Sequence, residues 1–521
     1  MRKSSLQHIA LYISLPVLVI LIVYACVVKS SEVPIDSSFS GWSVTLKGIG
    51  TQSSPRAVDL NKDSILDIVI GAGKVEFQSS DSAVIAINGT NGELLWHVSA
   101  RDQIFGSPAF KDITQDGIPD VFIGGRSAEL MAINGANGAV IWEYFPQGDT
   151  VNSFDHQLYN FYNPQFIPDQ NQDGTEDILI ANGGFIKAPP HDPNRPPGKL
   201  MIIDSKNGKL IAEALMPDGK ETYISAIVAD FEHNRTLSVV FGTGGETLAG
   251  NLYKTSLEDI LDGEITELVL LAAGQVKGFI APPVLADITG DGTLDIIANA
   301  VEGRMLAING VDHTTIWEVN LPGTEAYCSI AAGYFTEDAV PDFFTNYGIG
   351  IWPDLMQSVQ FMVDGNSGEI AFIDSLGSFH EASPLAWDVN NDGVDEALFS
   401  INHYQAGAVS NNLMVFDFHR DSLYYLSEVF NHGANISSTP WVGDINQDGL
   451  TEIYYVHDTN PVDFFSLEDK KGIQIKCIAT GIEAMSGISW GTYMGHDYTG
   501  IFQKKWKKEY FTKCIQERID E

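Results

Sequence analysis

The chain has 521 residues and a formal net charge of −38 at pH 7. That balance excludes a nucleic-acid-binding surface, which needs a basic footprint. With 44% hydrophobic residues, 10% aromatic residues and 49 glycines, the composition fits a globular, turn-rich β-protein.

Arg2 and Lys3 precede a run from Ile9 to Val28 that holds no charged side chain. Crossing a bilayer takes ~20 apolar residues. A cleaved secretory core is shorter, roughly 7–15 residues. The run therefore predicts a transmembrane or signal-anchor helix over 9–29. The early positive charges place residues 1–8 in the cytoplasm and the rest outside it, periplasmic, cell-surface or extracellular. The alternative is a lipoprotein processed at Val23-Tyr24-Ala25-Cys26 and lipidated at Cys26. Residues 30–41 read as a polar linker. Beyond it only Cys328, Cys477 and Cys514 remain. An odd count excludes a fully paired disulfide framework, and a Cys477–Cys514 pair stays open.

From residue 42 to 502 the chain repeats. Each cycle carries an acidic loop with oxygen-bearing side chains at positions 1, 3, 5 and 9. The complete copies are Asp59, Asn61, Asp63, Asp67; Asp112, Thr114, Asp116, Asp120; and Asp169, Asn171, Asp173, Asp177. They continue with Asp287, Thr289, Asp291, Asp295; Asp388, Asn390, Asp392, Glu396; and Asp444, Asn446, Asp448, Glu452. Two copies are degenerate: one keeps Asp230 but has Asn234 and Ser238, and one opens on Tyr334 but keeps Asp338 and Asp342. Hard oxygens converging in a tight loop suit Ca²⁺. The loops are not EF-hands, since position 12 of the second copy is Ile123 inside a strand-like run. The recurrence predicts several structural Ca²⁺ sites, each bracing two strands.

Around each loop lie four β-rich segments. The first ends at the loop, as in SSPRAVD or GSPAFKD, and the second follows it, as in DIVIGAG. The third and fourth flank a tight turn such as Asn91-Gly92, Asn137-Gly138, Asn207-Gly208 or Ser367-Gly368. Four short antiparallel strands per ~50-residue unit predict an all-β, eight-bladed propeller, or seven blades if the weakest cycle is not one. The cycles start near Ser53, Gly106, Asn163, Ser225, Ala281, Cys328, Ala382 and Ser437. The leftover fragments, Trp42 to Leu46 and Gly487 to Phe502, are expected to complete a shared blade and close the ring. Residues 503–521 form a basic, then mixed, tail.

The D-x-[DN]-x-D-G-x-x-D loops followed by an apolar strand resemble FG-GAP/VCBS repeats, the calcium-loop repeats of integrin α-subunit propellers and many bacterial surface proteins. That resemblance implies a backbone carbonyl at position 7 as a further ligand. The run from Ala86 to Trp96 resembles a second pattern, the tryptophan-bearing quinoprotein-like (PQQ-type) propeller repeat. Ala132 to Trp142 and Ala307 to Trp317 follow it with small departures. Both resemblances imply a β-propeller, and neither implies an activity.

Trp96, Trp142 and Trp317 recur at one repeat position, which predicts packing between blades rather than a quinone-stacking site. No two cysteines are adjacent, and no H-E-x-x-H motif is present. Long aromatic and proline-stiffened loops fall on the face opposite the acidic loops. They nominate His156, Tyr159, Tyr162, Trp352, His380, Glu381 and His403 as a ligand face. His380-Glu381 is placed at a blade's start near the axis. The sequence thus reads as a membrane-anchored, extracytoplasmic, calcium-binding propeller that binds a protein or carbohydrate ligand. The alternatives are a PQQ-type oxidoreductase or polysaccharide-active enzyme on the same scaffold, or a structural part of a cell-envelope assembly.

Overall fold

The computed structural model describes residues 41–145, 153–185, 187–405, 407–459, 471–484 and 487–502. The repeated cycle becomes eight antiparallel sheets, which form an eight-bladed β-propeller. In the first blade the strands are Arg56–Val58, Asp67–Gly71, Ser80–Ile87 and Leu94–Ala100, paired in sequence order. Second strands read as apolar runs because neighbouring blades cover both their faces. Asp67–Gly71 and Asp120–Gly124 are buried throughout. The outermost strand Leu94–Ala100 alternates exposed and buried residues, since one face meets solvent. In the fourth blade a short helix, Leu257–Asp262, replaces the last tight turn. Ser256 caps it by accepting the Asp259 amide at 3.0 Å.

A belt of hydrogen bonds joins the blades where the innermost strands begin. The Thr439 amide donates to Ser54 Oγ at 3.0 Å, and the Ser54 amide to Ser107 Oγ at 3.2 Å. The Ser107 amide donates to Asn163 Oδ1 at 2.5 Å, and Asn163 Nδ2 to Ser225 Oγ at 2.8 Å. On the far side the Ser329 amide donates to Ser383 Oγ, and the Ser383 amide to Thr439 Oγ1, both at 3.0 Å. Pro282 holds the equivalent place in the fifth blade and has neither an N–H nor a hydroxyl. There Ser329 Oγ donates to the Pro282 carbonyl at 3.3 Å instead.

The repeat tryptophans are inter-blade clasps, as their spacing predicts. Trp96 Nε1 donates to the Gly135 carbonyl at 2.7 Å, Trp142 to Ser205 and Trp317 to Gly365, both at 2.8 Å. Each indole also lies flat on the turn glycine of the next blade. A Cβ on Gly138, Gly208 or Gly368 would stand 2.9, 2.6 or 2.6 Å from the ring of Trp96, Trp142 or Trp317.

The two terminal fragments part company. Ser43–Lys47 is the outermost strand of the eighth blade, paired with Gly472–Glu483, so the N-terminal end of the propeller closes the ring as expected. Trp42 then supplies that blade's clasp, donating to Gly89 at 2.6 Å with Gly92 under its ring. The C-terminal fragment does not join that blade. Ile488–Trp490 pairs with the innermost strand of the seventh blade, Leu385–Trp387. The chain then turns inside the channel. Gly491 accepts the Val442 amide from the eighth blade, and the Tyr493 carbonyl faces Arg56 Nη2 of the first at 3.5 Å. Leu285 of the fifth blade bonds both Gly500 and Phe502. The fragment is an axial plug, inserted from the acidic-loop side. The expectation of a shared blade fails because that blade's edge is already taken by Ser43–Lys47.

Cys477 is buried in the eighth blade and Cys328 beside the axis. Cys514, Cys26, the run Ile9–Val28 and the tail 503–521 lie outside the described residues. Among the described residues no helix is long and apolar enough to cross a membrane.

Trp42→Ala should cost about 3 kcal/mol of stability, as removal of a packed indole does. Gly92→Ala should also destabilise, since φ there is +77° and the indole leaves no room for a Cβ. Urea unfolding of both single variants and the double variant should show coupling of about 1 kcal/mol. Additive costs would mean that the indole and the turn do not act as one unit.

Candidate functional site

The acidic loops all join first to second strands on one face. In the second loop Asp112 Oδ1 accepts the Gln115 amide at 2.7 Å, and Oδ2 the Gly117 amide at 2.9 Å. Asp116 Oδ1 accepts the Ile118 amide at 2.8 Å. Asp120 is fully buried and accepts the Ile113 and Thr114 amides, both at 2.9 Å. Its other oxygen accepts the Gly135 amide at 3.2 Å, tying the loop to the last turn of the same blade. The first loop repeats the pattern through Asp59, Asp63 and Asp67, with Asp67 bonding Leu60 and Gly89. Amide capping of this kind is what any acidic turn does.

Other features go beyond capping. Asp177 Oδ1, Asn390 Oδ1 and Glu452 Oε1 are buried without a hydrogen-bond partner among the described residues. In the seventh blade oxygens of Asp392, Glu396 and Asp417 lie within 4.8 Å of one another. Asp417 comes from the blade's last turn, a donor the loop pattern alone does not reveal. Burial, then neighbouring carboxylates, pushes Glu396 up to about 9. Burial also raises Asp388 and Glu452 to about 7, against the pull of the amides that bind them. Arg420 supplies part of the missing countercharge, 2.9 Å from Asp417 and 3.5 Å from Asp392. The degenerate loops have other solutions. Asp230 still caps the Asn234 and Arg235 amides, while the Tyr334 amide is capped at 2.6 Å by Asp395 of the next blade.

The plug fills the loop side of the channel. Arg56 is fully buried, donates to the Pro108 carbonyl at 2.7 Å and lies 4.1 Å over the Tyr498 ring. Burial lowers its pKa to about 10. Burial raises the Tyr493 phenol, on which Arg56 and, from the opposite mouth, Glu381 also act. At that mouth ionisable groups converge. Glu246 acts on Tyr162, Arg195, Glu221, Tyr223, Tyr327 and Glu381, which come from four blades. Most of the charges are already paired. Arg195 holds Glu221 at 3.1 Å and Tyr223 Oη at 3.0 Å. Glu325 takes Lys277, and also Tyr327 Oη at 2.6 Å. Arg126 holds Glu76 at 2.8 Å and lies 5.4 Å over Phe105. Glu381 accepts Ser437 Oγ at 3.0 Å, and burial raises its carboxyl to about 7.

The nominated ligand face divides among three places. Glu381 and His380 reach the mouth as expected, but His380 is buried, and burial holds its imidazole neutral at about 4. Tyr162 is also buried, stacked edge-on against Phe105 and Tyr223 rather than presented to a ligand. Trp352 is half-buried, with its amide 3.2 Å from Glu325. His156 and Tyr159 sit at the rim of the second and third blades. There Tyr159, itself buried, packs with Phe154 and Phe185 under Lys187. His403 is in a strand, not a loop, in a groove at the edge of the sixth and seventh blades. Much of the aromatic surface of these loops serves packing, as at Tyr159 and Tyr162.

Sequence reading missed Arg126, Arg195, Glu221, Glu246, Lys277 and Glu325 at the mouth. One signal was available: Glu221 and Glu325 both stand four residues ahead of a belt serine, Ser225 and Ser329.

The family profile described as the outer membrane protein assembly factor BamB matches residues 42–159, under half of the chain. Curated protein sequences give no match. Among solved structures, quinohemoprotein alcohol dehydrogenase ADHIIG from Pseudomonas putida HK5 aligns with a TM-score of 0.52 at 12% identity, over 85% of this chain and 76% of that one. Quinohemoprotein alcohol dehydrogenase from Comamonas testosteroni aligns at 0.50 and 12% identity, over 86% and 77%. Saccharomyces cerevisiae Sqt1 aligns at 0.50 and 8% identity, over 84% and 98%. These likenesses establish the propeller fold and the PQQ-type repeats alone.

A pyrroloquinoline quinone carries several carboxylates and needs cations and a stacking ring beside the axis. Here the repeat tryptophans are bound between blades, Arg195 and Lys277 are held by glutamates, and Glu246 and Glu381 face the mouth. The residues present do not fit that group.

Glu381 faces Ser437, Glu246 and Arg126. Because its folded pKa lies above the ordinary carboxyl value, the folded state holds that proton more tightly. Its contribution to stability is therefore lost as pH rises from the ordinary carboxyl range to about 7. The melting temperature of Glu381→Gln minus that of the wild type should climb between about pH 5 and about pH 8. A flat difference would mean that the carboxyl titrates normally.

Proposed function

We propose that this protein is an extracytoplasmic, membrane-anchored binding module, with Ca²⁺ bracing its blades and its ligand taken on the face opposite the acidic loops. The axial plug carries this reading. It closes the channel from the loop side, so the propeller is neither a passage nor an open funnel. What the other face offers is side chains without a structural task. Ile351, Met356, Tyr404 and Val429 are 63%, 75%, 66% and 74% exposed around the sixth and seventh blades. The module reading is tested by retention of envelope fractions on the purified full chain. Met356→Asp with Val429→Asp should abolish saturable retention, and Glu93→Lys on the loop face should not. Equal retention by all three proteins would sink it.

The loops are proposed to be FG-GAP/VCBS-type cation sites. The donors of the six complete copies, with Asp417 added in the seventh blade, suit a hard divalent cation, and the orphaned buried oxygens support its presence. Bound Ca²⁺ would supply charge neutralisation among the carboxylates and no reaction step. At free calcium ten times the dissociation constant, each site contributes about 1.4 kcal/mol, and six independent sites roughly 8 kcal/mol. Excess EDTA should therefore lower the melting temperature strongly relative to millimolar calcium, and Asp116→Ala should lower it in part. Superimposed melts would reduce the loops to acidic turns.

A catalytic second reading rests on Glu381, whose raised carboxyl has the protonation a general acid needs near neutral pH. A hydrolytic or lyase activity on polysaccharide that survives Glu381→Gln would remove that reading.

A further inference from the structure

We propose that the groove at the edge of the sixth and seventh blades is a binding site for a neutral oligosaccharide. The inference rests on the binding-module reading and names the ligand of that face.

The groove lies where two long hairpins of adjacent blades extend side by side. The second strand of the first blade, Asp67–Gly71, has 5 residues, whereas Asp342–Ile349 has 8 and Glu396–Gln405 has 10. Both extensions project away from the acidic loops. Ser378 joins them, bridging to Gln357 on one side and Asn402 on the other. The groove so formed has a volume of about 510 Å³, lined chiefly by Gln357, His403, Tyr404, Gln405, Tyr425 and Phe430.

One wall is a preformed aromatic corner. The Tyr425 and Phe430 rings lie 4.8 Å apart, and His403 packs on them at 5.9 and 5.3 Å. Tyr425 Oη and His403 Nε2 are hydrogen-bonded at 3.2 Å. Both aromatic rings keep 38% of their surface exposed, and Tyr404 keeps 66%. A core would not leave them open, and a rigid corner loses little entropy when a ligand arrives. The remaining lining is amide and hydroxyl, including Ser378 and Ser410.

Charge selects the ligand class. The chain carries −38, yet among the described residues no lysine, arginine, aspartate or glutamate lines this groove. Burial also lowers the pKa of His403, leaving it neutral at ordinary pH. A phosphate or carboxylate would find no cation, and an ammonium no anion. A ligand with a flat apolar face and many hydroxyls fits both halves of the site. Its C–H face would lie on the exposed rings while Gln357, Gln405 and Ser410 exchange hydrogen bonds with its hydroxyls. A neutral pyranose chain has that chemistry. No covalent bond is made or broken.

The test titrates the full, calcium-loaded chain with neutral glucans, mannans, galactans and chito-oligosaccharides, and with an acidic oligogalacturonate. One neutral class should bind, and Tyr404→Ala and Gln405→Ala should each weaken it at least about tenfold. Glu93→Lys, on the loop face, should not, and all variants should melt with the wild type. Binding of no neutral glycan, binding of the acidic chain instead, or indifference to Tyr404→Ala would overturn the inference. If glycans fail while an envelope protein is still retained on this face, the glycan is wrong and the module stands. If no envelope fraction is retained at all, the module reading itself falls.

Discussion

The ring is held at its narrowest circumference by backbone amides that have nowhere else to go. Innermost strands such as Arg56–Val58 have 3 residues, too few to satisfy their leading amides within the sheet. A hydroxyl or carboxamide on the next blade accepts each one, from Thr439 through Ser54, Ser107 and Asn163 to Ser225. Prolines 55, 108, 164, 384 and 440 follow the belt residues, removing a donor at the next position and fixing the chain's turn into the strand. Every other feature depends on this belt. It sets the diameter that the plug fills and the spacing at which each tryptophan meets the next blade.

The tryptophan clasp explains why one motif was so readable. Its glycine has to tolerate a positive φ and also lie under an indole from the blade before. The two requirements vary together along the chain. Gly92, Gly138, Gly208 and Gly368 each sit beneath a tryptophan. Where the preceding blade's last strand has no tryptophan, as before the fifth and seventh blades, the left-handed turn residue is His313 or Asp421. A local pattern that encodes an inter-blade contact is legible from sequence because the repeat supplies both partners. The blade count, the strand order, the side of the acidic loops and the packing role of the tryptophans were all readable on that basis.

The plug was not readable for the opposite reason. Gly487 to Phe502 has no copy elsewhere, and its contacts reach residues hundreds of positions away, such as Arg56 and Gln165. Nothing local distinguishes it from a spare edge strand. The mouth was half legible. His380-Glu381 was placed near the axis from its position in the cycle, but the ion pairs around it come from loops of different blades. Aromatic content marked the face opposite the acidic loops, where Tyr159 and Tyr162 spend their rings on packing. The groove around His403 depends on hairpin length, which sequence reading registered only as a long loop.

The closing strand also fixes how the molecule stands. Ser43–Lys47 runs along the outer edge of the eighth blade, and Trp42 at its start bonds Gly89, a turn on the acidic-loop side. The polypeptide that precedes Trp42 therefore meets the propeller at the rim of the loop face. The plug runs back toward that face as well, with Phe502 against Tyr334 at the start of the sixth loop. Both ends of the described propeller thus stand on the loop face, and the grooved face carries neither.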